Sequence, residues 1–144
     1  MKHTIKQFLY GLFPLAVGTV CNYCIVCLPV SMILFNLLYL VTWGYLCYRF
    51  TIPEQNPFVQ TTRICLPGLC MLALVLYQEL VLTSYFPGLL GLASQFYFLP
   101  GMSVFGIFVT PFVDILRPYY FFIAEYLGMS LICLFACHLR TKRK

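Results

Sequence analysis

The sequence predicts an all-α integral membrane protein: a four-helix transmembrane bundle with a proline- and glycine-broken re-entrant or interfacial segment between the third and fourth spans. Three observations carry that expectation. Of 144 residues, 62% are apolar and 9% charged, against about 25% charged residues in ordinary soluble domains. Four acids and nine bases cannot cover the surface of a compact domain, which excludes a soluble globular protein. The apolar runs are continuous and lack the two-residue alternation of membrane β-strands, which excludes a barrel. The bases, finally, cluster at the ends of the apolar runs. A span takes about 20 apolar residues, so the chain holds four or five in a single membrane domain.

Lys2, His3 and Lys6 precede an uncharged stretch of 42 residues from Gln7 to Tyr48. That is about twice one span, so the stretch folds back once. Asn22 and Pro29 are the turn-prone residues near its middle, and Pro29 suits the first position of a following helix. Spans over residues 7–27 and 30–50 follow. Ala16-Val17-Gly18 resembles a signal-peptide cleavage site, but the run stays apolar beyond it, which favours a retained span. After Arg49 comes Thr51 to Arg63, the only stretch with ordinary loop composition. Pro53 and Pro57 there interrupt a helix, and Thr61 or Thr62 is the expected cap of a third span over residues 64–84.

Residues 85–118 hold four prolines (Pro87, Pro100, Pro111, Pro118) and four glycines (Gly88, Gly91, Gly101, Gly106). Irregular backbone at membrane depth is tolerated only where protein or water covers it, which leaves a broken fifth span or a re-entrant element. Charge decides between them, since bases near span ends stay on the cytoplasmic side. Four spans put Lys2, Lys6, Arg49, Arg63, Arg140, Lys142, Arg143 and Lys144 on one face, eight of the nine bases. Five spans would strand either the head or the tail. The segment 85–118 is therefore expected to return to the outer side, with Arg117 the one base there and a last span over residues 119–139. Both chain ends are then cytoplasmic, in a plasma membrane. The 26 residues that are Phe, Tyr or Trp match a supply of packing and interface anchors.

Candidate chemistry is sparse. Glu79 lies five residues before the outer end of the third span and Glu125 six residues past Tyr119, so each is about 7 to 9 Å below the same face. An acid in a span costs about 2.5 to 3.5 kcal/mol even on a lenient scale, so each must face the bundle, meet water or carry a proton. Asp114 and Arg117, three residues apart, share one helical face and can pair. With Gln78, Gln95 and Asn22 they form either a site for a proton, cation or polar ligand, or hydrogen bonds that hold the re-entrant element in place.

Cys21, Cys24 and Cys27 have the spacing of thiol redox pairs, but the outer segment offers no second pair for exchange. The remaining cysteines (Cys47, Cys65, Cys70, Cys133, Cys137) fall toward the cytoplasmic half, where thiols stay reduced and pack as small apolar residues. Cys133, Cys137 and His138 lack the geometry for a metal without help from another span, so no metal or other cofactor is expected. Phosphate loops, nucleophile elbows and zinc-protease helices are missing from the sequence, and the basic tail reads as topology rather than nucleic-acid binding. Gly11, Pro14, Gly18 and Cys21 form a small-residue stripe, as do Ala124, Gly128 and Ala136, and both predict close helix contacts within the chain or with a partner. The expected function is a non-catalytic accessory or assembly subunit whose partners are the bilayer and other membrane proteins, or copies of itself. The alternatives are a small transporter or permeation component using Glu79 and Glu125, and a membrane thiol oxidoreductase using Cys21, Cys24 and Cys27.

Overall fold

The computed structural model describes residues 2–27, 32–82, 88–112 and 117–142. Every regular element among the described residues is helical. Four helices are long and apolar enough to cross a membrane: Thr4–Tyr23, Ile33–Phe50, Pro57–Leu82 and Tyr119–Lys142.

The first of these is broken, which differs from the single helix expected over residues 7–27. Helices α1 (Lys2–Tyr10) and α2 (Phe13–Cys27) meet at Gly11 and Leu12. Pro14 has no N–H, and its ring crowds the carbonyl four residues earlier, that of Tyr10. The main chain tightens instead, with the Leu12 N–H donating to the Leu9 carbonyl at 3.1 Å. The break brings Gly11 against α4, where a Cβ on residue 11 would land on the Ile64 carbonyl.

Helix α3 (Met32–Phe50) buries Asn36, Tyr39, Trp43 and Cys47 on one stripe and exposes Leu34, Leu38, Val41 and Tyr45. Its outer face is apolar along its length, as in a helix able to cross a membrane. Helix α4 (Pro57–Tyr77) begins seven residues before the expected Ile64. Pro57 starts the helix rather than stopping one: its fixed φ suits the first turn, and the Asn56 side chain accepts from the Phe58 N–H at 2.9 Å. Thr62, expected as a cap, instead donates to the Phe58 carbonyl inside the helix. The loop before α4 is correspondingly only residues 51–56. A wider turn, Gln78–Leu82, continues α4.

The segment 85–118 contains two short helices, α5 (Leu89–Phe98) and α6 (Met102–Val109), joined by a tight turn with buried Pro100 and Gly101. Helix α5 packs on α2 and α4, and α6 packs on α3 and α7 (Tyr119–Lys142). Glycines set how closely. A Cβ on Gly18 would fall on the Phe96 carbonyl, one on Gly68 against the Tyr97 ring, and one on Gly128 inside the Phe105 ring. The two small-residue stripes therefore serve contacts inside the chain: Gly11, Pro14, Gly18 and Cys21 are all buried. Gly101 meets Glu125 and Gly106 meets Phe121, so α6 runs antiparallel to α7. Helices α3 and α7 run parallel, with Trp43 and Thr51 on α3 and its C-terminal side reaching Met129 and Cys137 in turn. Helix α7 extends three residues past the expected Leu139 and keeps Arg140 and Lys142 in its last turn, where cations complement the helix dipole.

Candidate functional site

The α5–α6 turn lies among the long helices, and its backbone groups need partners there. Tyr97 at the end of α5 donates its hydroxyl to the Gly11 carbonyl at 2.9 Å, which satisfies a group left over by the α1–α2 break. The Gly101 N–H, at the start of α6, donates to Oε1 of Glu125 at 2.9 Å. Glu125 is 0% exposed. Its other oxygen, Oε2, is buried with no hydrogen-bond partner among the described residues. Gly101 is a glycine because a side chain on residue 101 would fill the space the carboxyl group occupies.

A second buried polar side chain belongs to the same layer. Asn36 on α3 is 0% exposed, and among the described residues neither its Oδ1 nor its Nδ2 has a partner. The parallel pairing of α3 with α7 fixes its level. Tyr39 donates to the Met129 sulfur at 3.4 Å and Trp43 to the Met129 carbonyl at 3.2 Å. Asn36 is three residues before Tyr39 and seven before Trp43, and Glu125 is four before Met129, so the two differ in height by about 1.5 Å on the first contact and about 4.5 Å on the second, within one helical turn. Both belong to the buried stripes that α3 and α7 turn inward. Asn36 is not among the expected site residues, although its spacing from Tyr39, Trp43 and Cys47 is that of one helical face.

The other expected site residues are distributed differently. Glu79 stands half-buried on the wide turn after α4, in a different setting from the enclosed Glu125. Beside it Gln78 is fully buried and donates to the Leu74 carbonyl and to Ser94 on α5, at 3.2 and 3.4 Å. This bond ties α4 to the hairpin. Arg117 is exposed, and Asp114, its expected partner, lies outside the described residues. Cys21 is fully buried in the α2 stripe. The side chains of Cys24 and Cys27 lie outside the described residues, as does the turn expected around Pro29.

Two further clusters were not foreseen. Gln60 is 0% exposed and gathers four hydrogen bonds: it accepts from Gln7 at 3.0 Å and from the Ile52 N–H at 2.7 Å, and it donates to the Ile52 and Gln55 carbonyls at 2.9 and 3.1 Å. It thereby pins α1 and the 51–56 loop to the start of α4. Cys47, Cys65, Cys133 and Cys137, from α3, α4 and α7, converge in the core, with Thr51 donating to the Cys137 sulfur at 3.1 Å. Among the described residues no group of three His, Cys, Asp or Glu side chains is arranged to hold a metal ion. The thiols act there as small packing residues with weak mutual hydrogen bonds.

Comparison with known proteins leaves this geometry to stand alone: no family model, curated protein or solved structure matches the chain.

Proposed function

We propose that the chain is a multi-pass integral membrane protein of four spans, with both ends in the cytosol and the α5–α6 hairpin re-entering from the outer side. In this reading it serves a plasma-membrane complex as a non-catalytic accessory or assembly subunit. The observation that carries the proposal is the outward face of the long helices. Large apolar side chains such as Val41, Tyr45, Val81, Leu131 and Phe135 are more than half exposed, so each long helix offers lipid, or a neighbouring membrane protein, a greasy surface. The polar groups at depth turn inward and hold the hairpin, as Gln78–Ser94, Tyr97–Gly11 and Glu125–Gly101 do. Recognition of partners then takes place in the plane of the membrane. The bases set the orientation through the positive-inside preference.

Two measurements test the reading. A reporter fused behind Lys144 is expected to be active only in the cytosol, and a signal from the other side overturns the topology. Purification in mild detergent is expected to retain a stoichiometric membrane partner or a homo-oligomer; a solitary monomer that keeps its cellular role removes the subunit assignment.

A second reading, a small transporter or permeation component, is supported by one specific observation: the unpartnered Oε2 of Glu125 in the layer of the equally unpartnered Asn36. Under it, Glu125→Gln abolishes pH-driven ion movement in proteoliposomes. Unchanged flux sets it aside.

A further inference from the structure

We propose that Asn36 and Glu125 form one internal proton-binding site, in which the Asn36 amide serves the Glu125 carboxyl in both of its protonation states, directly or through one bound water. The inference deepens the second reading above by naming the species that the site takes.

The chemistry of the groups selects the proton. Oε1 of Glu125 is already held by the Gly101 N–H, which fixes the carboxyl and leaves Oε2 as the exchanging oxygen. An amide side chain presents a donor, Nδ2, and an acceptor, Oδ1, on the same carbon. When Oε2 carries a proton, its O–H donates to Asn36 Oδ1. When the proton has left to water as hydronium, Nδ2 donates to the anionic Oε2 after a half-turn of the amide. Glutamine and the hydroxyl side chains share this double capacity, and an apolar side chain lacks it. Two buried polar groups that each lack a partner cost about 1 to 3 kcal/mol apiece. Their placement in one layer removes that cost as soon as they, or a water between them, meet.

A metal cation fits poorly by the same chemistry. Sodium or calcium needs several oxygen ligands, about six to eight for calcium. The main-chain group at this carboxyl is an N–H donor, with its positive end toward the ligand. The electrostatic surroundings are also those of a proton site. Tyr39 from α3 and Tyr97 from α5 are the titratable groups near enough to sense Glu125. Helix α6 brings none between Met102 and Val109, and α4 presents Cys65 toward Tyr97. Among the described residues no base pairs with Glu125. Tyr39 already donates its hydroxyl to Met129, and Asn36 is the buried amide without a partner among the described residues within one turn of the same level.

The test is infrared difference spectroscopy of the full chain in lipid vesicles, stepped between mildly acidic and mildly alkaline buffer, with proton and sodium flux measured on the same vesicles. A carboxyl C=O band is expected that vanishes in Glu125→Gln and shifts in frequency and titration midpoint in Asn36→Leu. Asn36→Ser, smaller and still able to donate and accept, is expected to restore most of the wild-type band, and it keeps the test informative if the leucine variant does not fold. A band indifferent to both Asn36 variants overturns the inference, as does one displaced by sodium at constant pH. A coupled band without proton flux upholds the site and refutes transport. Glu125-dependent flux with an uncoupled band upholds transport and refutes the role of Asn36.

Discussion

Replacing Gly18 by alanine isolates the contact on which the hairpin rests. Gly18 lies on α2 where α5 crosses it, and an added Cβ would sit on the Phe96 main-chain carbonyl. A carbonyl in a helix cannot rotate away, so α2 and α5 must separate. Two effects of opposite sign compete. Overpacking by a methyl group costs about 1 to 3 kcal/mol, and alanine in a helix interior recovers about 0.8 to 1 kcal/mol relative to glycine. The clash wins because its obstacle is backbone, and the upper half of the range applies, for a net loss of about 1 to 2 kcal/mol. Gly44 on α3 is the control. There the nearest obstacle is Cγ2 of Ile132 at 3.2 Å from the added Cβ, a side-chain methyl that yields by a few tenths of an ångström. Gly44→Ala is therefore expected to be neutral or slightly stabilising. Trp43, the single tryptophan, is 1% exposed and donates to the Met129 carbonyl, so its fluorescence reports core opening as denaturing detergent is titrated into mild micelles. A gap of about 1.4 kcal/mol between the two variants corresponds to a tenfold difference in the unfolding constant. Coincident transitions for Gly18→Ala and Gly44→Ala would refute the docking of α5 on α2.

Two other substitutions probe the polar ties by the same assay. Gln60→Leu removes four hydrogen bonds and leaves the Gln7 amide and the Ile52 N–H without their partner, for an expected loss of about 2 to 4 kcal/mol and faster proteolysis within residues 51–56. Tyr97→Phe keeps the ring over Gly68 but orphans the Gly11 carbonyl, for an expected loss of about 1 to 2 kcal/mol; a variant as stable as the wild type shows that water already serves that carbonyl.

What was legible in the sequence is what local composition decides. Long uncharged runs bounded by bases gave four helices able to span, and the prolines and glycines of residues 85–118 marked a segment that is neither a fifth long helix nor a plain loop. The helix boundaries were read less well because one residue type has two meanings. Pro57 reads as a breaker in the sequence, yet at the first turn the missing N–H costs nothing and Asn56 supplies the cap. Pro14 takes the same first-turn place, in α2, and so divides the first apolar run into two helices. The small-residue stripes were visible, but whether Gly18 faces α5 or another molecule depends on the register between helices, which no window of sequence contains. The same holds for Asn36 with Glu125, for Gln60 with Gln7 across 53 residues, and for the four thiols drawn from three helices.

The position of Glu125 follows from the turn it faces. Where α5 ends and α6 begins, the backbone at Gly101 has an N–H pointing into the core. Away from water an unmet main-chain donor costs more than the about 1 kcal/mol net value of an ordinary hydrogen bond. Some acceptor must come from α7, and Glu125 provides it with Oε1. That requirement alone does not call for an acid, since a glutamine carbonyl oxygen at the same place accepts equally well. Glu125→Gln is therefore expected to unfold within about 1 kcal/mol of the wild type, whereas Glu125→Leu, which strands the Gly101 N–H, is expected to lose at least 2 kcal/mol or so. If both variants are equally destabilised, the carboxyl is a structural element in its own right and the hairpin needs its charge or its proton to dock. If only the leucine variant falls, the hydrogen bond to Gly101 accounts for an acceptor at residue 125, and why that acceptor is an acid rather than an amide is left to the infrared test of Oε2.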